Sequence, residues 1–210
     1  STHQVLLSPL LKKKEVFETF PVFSPDGNKL YFCAAKQMPI PEKYKEIRYS
    51  LCSIDFDKEK GTFGNRIDTL IDAEKMKKSI SFPRPSYDGK YIMFTLSDYG
   101  NFSIWHKEAD LWLLNLQDGS LRTIHEVNSD NTESFHNWSS NSHWFVFSSR
   151  REDGLYTRLY LASINKEGKV SKPFLLPQKN PMTYSDKLLY SYNVPDFTNS
   201  PVKLEPRKFA

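Results

Sequence analysis

The chain has 210 residues, of which 39% are hydrophobic and 14% aromatic, and its formal net charge is +4 at pH 7. This composition is typical of a folded globular protein and excludes an intrinsically disordered chain. No apolar run approaches the about 20 residues that a membrane-spanning helix needs. Basic residues are densest at residues 12–14 and 75–78. No nucleic-acid-binding motif accompanies them, so we predict solvated loops there and no nucleic-acid partner.

The first predicted element is a strand over residues 4–11, and a thirteen-residue phrase that occurs three times follows it. The copies read FPVFSPDGNKLYF (residues 20–32), FPRPSYDGKYIMF (82–94) and FHNWSSNSHWFVF (135–147). In the first copy Pro25 presets φ and Gly27 supplies the positive φ of a tight turn. The third copy lacks the glycine, but its Asn141 tolerates the left-handed conformation. Each copy therefore predicts a strand–turn–strand hairpin.

A second hairpin signal follows each copy of the phrase. Apolar strands are predicted at residues 49–54, 111–116 and 159–164, each followed by a glycine-containing turn and a further extended segment. Four strands per repeat, with tight turns after the first and the third, are typical of a β-propeller blade. A β-sandwich of short strands is the alternative, but it gives no reason for three copies of one phrase.

The sequence thus predicts an all-β protein in which three four-stranded antiparallel β-propeller blades form one domain. The predicted divisions are residues 1–17 for the last strand of a preceding blade, 18–78, 79–131 and 132–178 for the three blades, and 179–210 for a C-terminal tail with a short helix at 183–193. Three blades do not close a ring, because propellers typically have four to eight. We expect an incomplete or half propeller from a six- to eight-bladed parent; a three-blade unit that forms a homodimer is the alternative.

The two cysteines lie on adjacent predicted strands of the first blade. Counting residues from the midpoint of the intervening loop places Cys33 and Cys52 roughly opposite each other, which makes them a candidate disulfide. A disulfide would indicate an oxidising compartment. The alternative is a pair of buried free thiols, since free cysteine behaves as a small hydrophobic residue.

Signals for catalysis are weak. No Gly-x-Ser-x-Gly nucleophile motif is present, which disfavours a serine hydrolase. His106, Glu108 and Asp110 alternate, so on an extended strand they could bind a divalent ion; an exposed strand edge explains them better. His136 lies in the first strand of its blade and could approach the central channel, as in propeller pectate-type lyases, although a structural role is the favoured interpretation. A propeller enzyme of the lyase or hydrolase type that uses this histidine with a divalent metal is therefore an alternative function. We predict no catalytic residue and no metal site.

The long predicted loops all leave one face of the propeller, where recognition usually occurs. The predicted binding residues are Tyr44, Arg48, Tyr99, Trp105, His106, Glu108, His136, Arg150 and Arg151. Aromatic residues and arginines dominate interaction hot spots, so we expect this face to contact a protein or a glycan. Two alternatives stay open: Trp105 covers a blade edge, or the arginines pair with Glu152 or Asp153.

The Ser-Pro-Asp-Gly phrase followed by KLYF, and then by ADLWLLNL, resembles the WD-like repeat of TolB-type β-propellers over about residues 18–177. At finer grain, several segments resemble TolB-like envelope proteins of Bacteroides-type bacteria. These are LLSPLL (residues 6–11), ETFPVFSPDG (18–27), DYGNFSIWHKEADLW (98–112), WSSNSHWFVFSSRREDGLY (138–156) and NPMTYSDKLLYSYNVPDF (180–197).

The resemblance implies a periplasmic or outer-membrane-associated protein, often with a lipoprotein anchor, and a non-catalytic role in binding an envelope protein or glycan. Longer relatives carry a Cys-x-x-Cys-His haem-attachment motif upstream of the propeller, which this chain lacks. We therefore expect no cofactor in this chain. A covalent haem would belong to a missing N-terminal part of the parent protein, and an accessory propeller of an envelope c-type cytochrome is then an alternative function.

Overall fold

A computed structural model describes residues 5–100, 102–181 and 189–201 of the chain. The described residues form three four-stranded antiparallel sheets, each with its strands in sequence order. The first contains β1 (Val16–Phe23), β2 (Lys29–Lys36), β3 (Ser50–Asp57) and β4 (Thr62–Ile71). The second contains β5 (Ser79–Pro85), β6 (Tyr91–Ser97), β7 (Asp110–Asn115) and β8 (Leu121–Thr123). The third contains β9 (Glu133–Trp138), β10 (Trp144–Ser149), β11 (Arg158–Ser163) and β12 (Phe174–Leu175).

Helices are short in the described part of the chain. The α-helix α1 covers Ala73–Met76, and 3-10 helices cover Pro9–Leu11, Tyr44–Glu46 and Ser103–Trp105. None of these has the length and apolar character that crossing a bilayer requires. The predicted all-β class and the three four-stranded blades are confirmed, and the sheets do not close into a ring.

The turn of each repeated phrase is built in the same way. The serine hydroxyl that opens it donates to the side chain two residues later, over 2.6 Å to Asp26, 2.7 Å to Asp88 and 2.7 Å to Asn141. In the third copy the positive φ falls on Ser142, at 58°, and not on Asn141 as predicted. Asn141 instead takes the place of the aspartate, and the Ser142 hydroxyl accepts a hydrogen bond from the Asp88 amide at 2.9 Å. The third turn therefore also joins two blades.

The phenylalanine that begins each phrase lies at a β-bulge of the first strand of its blade. Phe20, Phe82 and Phe135 have positive φ values of 53°, 53° and 47°, and the strand register shifts at each of these points. A bulge redirects a side chain out of the regular pleat. The Phe82 ring lies 4.3 Å from that of Phe20 and 4.7 Å from that of Phe135, measured between centroids. The repeated phenylalanine therefore forms a row of rings across the three blades.

The core lies between the blades. Strand β6 is buried on both faces: Ile92 and Phe94 pack toward the first sheet, and Met93 packs toward the third. This arrangement explains the continuous apolar run of this strand, because a strand covered on both sides loses the alternation of a half-exposed one. The middle blade is held by its two neighbours, as expected for stacked repeats.

The strand predicted over residues 4–11 is not formed at residues 5–11. Instead the Ser8 hydroxyl accepts a hydrogen bond from the Leu10 amide at 3.3 Å and caps the 3-10 helix that begins at Pro9. Leu10 and Leu11 pack on the outer face of the first blade. Proline has no N–H to donate to a strand partner, and the local serine cap favours the turn.

The candidate disulfide between Cys33 and Cys52 is not formed, and the alternative of two buried free thiols describes them instead. The register pairs Phe32 with Cys52 and Cys33 with Leu51, so the two cysteines are offset by one residue. A shift of one residue moves a side chain to the opposite face of a sheet. Burial raises the pKa of both thiols, which keeps them protonated and unreactive.

The C-terminal tail covers the third sheet. The Ser148 hydroxyl donates to the carbonyl of Asn193 at 2.6 Å, and the Asn137 amide donates to Asp196 at 2.7 Å. The helix predicted over residues 183–193 falls mainly outside the described residues, and residues 189–193 contain no helix.

Candidate binding site

Two long loops of neighbouring blades meet and enclose a cavity of ≈ 340 Å³. One loop joins β2 to β3 and the other joins β6 to β7. The residues that line the cavity, named here the aromatic pocket, are Ile40, Tyr44, Ile47, Tyr49, Tyr99, Gly100, Phe102, Trp105 and His106. Four of the predicted binding residues, namely Tyr44, Tyr99, Trp105 and His106, are therefore brought together in one site.

Hydrogen bonds from the first loop and from β5 hold the chain in place at Gly100, beside the pocket. The Gly100 amide donates to the Ile47 carbonyl at 2.7 Å, and the Ser79 hydroxyl donates to the Gly100 carbonyl at 3.2 Å. Gly100 has a φ of +52°, and a Cβ there would lie 3.6 Å from the Tyr44 carbonyl oxygen. The two loops thus approach each other at a point where the backbone has a conformation that residues other than glycine rarely adopt.

The wall of the pocket consists of aromatic rings in edge-to-face contact. The Tyr44 and Tyr99 rings lie 5.7 Å apart between centroids, and the Tyr99 ring lies 4.4 Å from that of His106. Both contacts are T-shaped, a favourable geometry for aromatic pairs. The rings support one another before any partner is present, so the pocket is preformed.

His106 and Glu108 form a hydrogen-bonded pair beside the pocket. Nδ1 of the buried His106 ring lies 3.0 Å from Oε1 of Glu108, and the same oxygen accepts a hydrogen bond from the Asp98 amide at 3.2 Å. The pair fixes the orientation of the imidazole. Residues 5–100, 102–181 and 189–201 contain no group of three His, Cys, Asp or Glu side chains placed to hold a metal ion. Asp110 therefore does not complete a metal site with His106 and Glu108.

Arg150 stacks on a highly exposed ring of the pocket. Its guanidinium carbon lies 4.3 Å from the centroid of the Trp105 indole, and Trp105 itself is 72% exposed. Burial lowers the pKa of Arg150, an effect that the charge of Asp153 opposes. The Nε atom of Arg150 is buried and has no hydrogen-bond partner within the described residues. Arg150 thus extends the aromatic pocket with a cation.

Arg151 has a different role from its neighbour. Its Nη2 lies 3.2 Å from Oε1 of Glu133, its Nε donates to the Ser149 hydroxyl at 2.9 Å, and its guanidinium stacks 4.4 Å above the Tyr160 ring. Glu133 is completely buried and also accepts hydrogen bonds from Ser129. The structure therefore places Arg151 half-buried against the third blade, where its guanidinium is engaged by Glu133, Ser149 and Tyr160 and not directed to the predicted binding surface.

Glu133 was missed by the sequence reasoning. A carboxylate two residues before the third copy of the phrase, within a strand rich in buried residues, is the signal that could have identified it. Since a buried carboxylate requires a partner, a buried Glu133 would have predicted that one of the two arginines turns inward to pair with it.

His136 and Arg48 also lie outside the aromatic pocket. The His136 ring is buried between the second and third sheets, where its Nε2 donates to the Met93 carbonyl at 2.9 Å. Burial lowers the pKa of His136 from 6.5 to about 3, so the imidazole is neutral at physiological pH. Arg48 is half-buried and donates to the Glu46 carbonyl at 3.2 Å. Neither side chain lines the site that Tyr44 and Tyr99 form.

Comparison with known proteins identifies the fold. No protein-family profile and no curated protein matches the sequence. Among solved structures, the chain is similar to TolB from Agrobacterium tumefaciens, with a TM-score of 0.50, 20% identity, and coverage of 78% of this chain and 50% of that one. It is also similar to an oligogalacturonate lyase in complex with manganese, with a TM-score of 0.55, 15% identity, and coverage of 80% and 44%.

A third similar structure is a puromycin-hydrolyzing peptidase from Mycobacterium tuberculosis, with a TM-score of 0.51, 16% identity, and coverage of 78% of this chain and 24% of the peptidase. The chain spans half or less of the length of each of these proteins. Together with the three sheets, the matches show that the chain has the fold of TolB-type β-propellers, as a partial propeller. The same fold occurs in TolB and in enzymes, so function must be argued from the site.

Proposed function

We propose that this chain is a non-catalytic propeller module of the bacterial cell envelope that binds a partner through the aromatic pocket. The observation that carries the proposal is the pocket itself, which two blades build jointly and which presents Trp105 72% exposed. A tryptophan left in water forgoes about 1.5–3 kcal/mol of hydrophobic stabilisation that a partner can supply. Rigid aromatic residues at a preformed site are typical anchors of interfaces.

The environment of His136 supports binding over the lyase-type alternative. A propeller enzyme that used His136 as a base or a metal ligand would need this imidazole at an accessible position. The ring is 2% exposed, and its Nε2 is occupied by the Met93 carbonyl. A general base must reach the proton that it removes. The lyase-type alternative therefore lacks support at the residue that it requires.

Location, assembly and cofactor content stay proposals as well. The resemblance of the repeated phrase to TolB-like envelope proteins supports a periplasmic or outer-membrane-associated location. We propose that the chain itself uses no cofactor and that a haem, if the parent carries one, belongs to another segment. Homodimerisation of three-blade units is the alternative to a larger parent propeller.

Replacing Trp105 by alanine is expected to weaken binding at least tenfold, because hot-spot truncations cost more than about 1–2 kcal/mol. The probes are a displayed library of random linear peptides and a panel of bacterial oligosaccharides, with the affinities of the selected ligands then measured by calorimetry. Trp144→Ala is the matched control, since Trp144 is also exposed, at 41%, but contacts Phe174 edge-on outside the aromatic pocket. Ligands that bind Trp105→Ala as tightly as the unmodified chain would refute the proposed site.

A further inference from the structure

Two cations flank the aromatic pocket. The Arg150 guanidinium lies 4.3 Å from the Trp105 ring centroid, and Nζ of Lys45 lies 5.8 Å from the centroid of Tyr44. Neither cation forms an ion pair among the salt bridges of the described residues. The nearby carboxylate of Glu108 is directed to His106. Two cations without an ion-pair partner therefore lie beside the pocket, which favours an anionic group on the partner.

The difference in hydrogen bonding between Arg150 and Arg151 indicates which kind of anion Arg150 can bind. Arg151 donates to Glu133 and Ser149 and is fully engaged in the third blade. Arg150 stacks on Trp105, and the charge of Asp153 acts on it from beyond ion-pair distance. The Nε atom of Arg150 is buried, so a partner would reach the two Nη groups at the end of its planar fork. Such a planar fork matches the two oxygens of a carboxylate.

The lining of the pocket defines the neutral part of the partner. Ile40, Ile47 and Phe102 add aliphatic and aromatic surface to the tyrosines and offer no side-chain hydrogen-bonding group. A sugar ring buried against these three side chains would find no hydrogen-bond partner for its hydroxyl groups there, which weakens binding. An apolar side chain has no such groups. The cavity of ≈ 340 Å³ is at the lower end of the about 300–1,000 Å³ of ligand pockets, which suits a side chain of a protein segment.

We propose that the aromatic pocket and Arg150 together bind a protein segment in which a large apolar side chain is adjacent to a carboxylate. The apolar side chain enters the pocket beside Tyr99 and Trp105, and the carboxylate pairs with the guanidinium of Arg150. This inference rests on the proposed function and adds the chemical class of the partner to it.

The test uses random linear peptides displayed on phage and selected on the full chain at low salt, where charge pairing is strongest. Each selected peptide is synthesised in its acidic form and with the carboxylate side chain replaced by the corresponding amide. We expect selected sequences that place leucine or an aromatic residue next to aspartate or glutamate. The amide form should bind the unmodified chain about tenfold more weakly than the acidic form.

Arg150→Gln should lose the tenfold preference for the acidic form, because the guanidinium that pairs with the carboxylate is gone. Arg66→Gln is the matched control: Arg66 pairs with Asp68 on β4, outside the pocket, and this variant should keep the tenfold preference. A preference that survives in Arg150→Gln would overturn the inference. The inference would also be overturned if the selection yielded only neutral or basic peptides, or if only oligosaccharides bound. If Trp105→Ala abolished that binding, the proposed function would stand without this partner class. Ligands indifferent to Trp105→Ala would overturn both.

Discussion

Replacing Arg151 by leucine is expected to lower the free energy of unfolding by about 3–5 kcal/mol, the cost of breaking a buried ion pair from one side. The substitution leaves the carboxylate of Glu133, which has no exposed surface, without its cationic partner. It also removes the stacking of the guanidinium on Tyr160. Since domains of this kind are stable by only about 5–15 kcal/mol, the loss should be obvious in urea denaturation at pH 8.

Arg150→Leu is the matched control for this experiment. Arg150 precedes Arg151 directly and stacks on an exposed ring, so its replacement should change the unfolding free energy by less than about 1 kcal/mol. Burial raises the pKa of Glu133, so the folded protein favours the protonated carboxyl more than the unfolded chain does. The destabilisation by Arg151→Leu should therefore shrink as the pH falls from 8 to 5. Equal, small effects of both substitutions would contradict the structural role of Arg151.

The stability of the chain is expected to fall as the pH drops below 6.5, and His136 should be a major cause. The pKa of His136 is about 3 in the folded protein, whereas the ordinary value for histidine is 6.5. Between these two values the unfolded chain binds a proton at His136 and the folded chain does not, so acid favours unfolding. One such group contributes a slope of up to about 1.4 kcal/mol per pH unit, and a few kcal/mol over the whole interval.

His136→Gln should reduce this dependence, because glutamine can still donate to the Met93 carbonyl but does not titrate. The measurement is the unfolding free energy from urea titrations at pH 7, 6, 5 and 4.5. His125→Gln is the control: His125 is exposed, so its removal should leave the slope unchanged. A slope in His136→Gln as steep as that of the unmodified chain would show that His136 is not buried in the neutral form.

The fold could be predicted because its signal is local and repeated. Each phrase contains its own turn residues and its own alternating strand. A phrase that is repeated three times is compatible with only a few protein architectures. Finer features depended on distant partners. Ser142 takes the positive φ of the third turn while its hydroxyl binds the Asp88 amide of another blade. The offset between Cys33 and Cys52 depends on one residue of register, which midpoint counting does not determine.

The candidate site could be predicted in part for the same reason. The long loops leave one face of a propeller, which predicts that Tyr44, Tyr99 and Trp105 lie on the same surface. The structure brings these three residues into one pocket. The sequence could not separate Arg150 from Arg151, because the difference lies in Glu133, eighteen positions before Arg151 and fully buried. Stacking with Trp105 likewise depends on how two blades pack.

The most direct test of the proposed binding site is an NMR titration of the ¹⁵N-labelled chain with a selected acidic peptide, following the indole N–H signals of its four tryptophans. Each signal is assigned by a single tryptophan-to-phenylalanine substitution. The account predicts that the Trp105 signal moves with the peptide concentration, while the signals of the buried Trp138 and of Trp144, outside the pocket, stay in place. A peptide that binds while the Trp105 signal stays unchanged would contradict it.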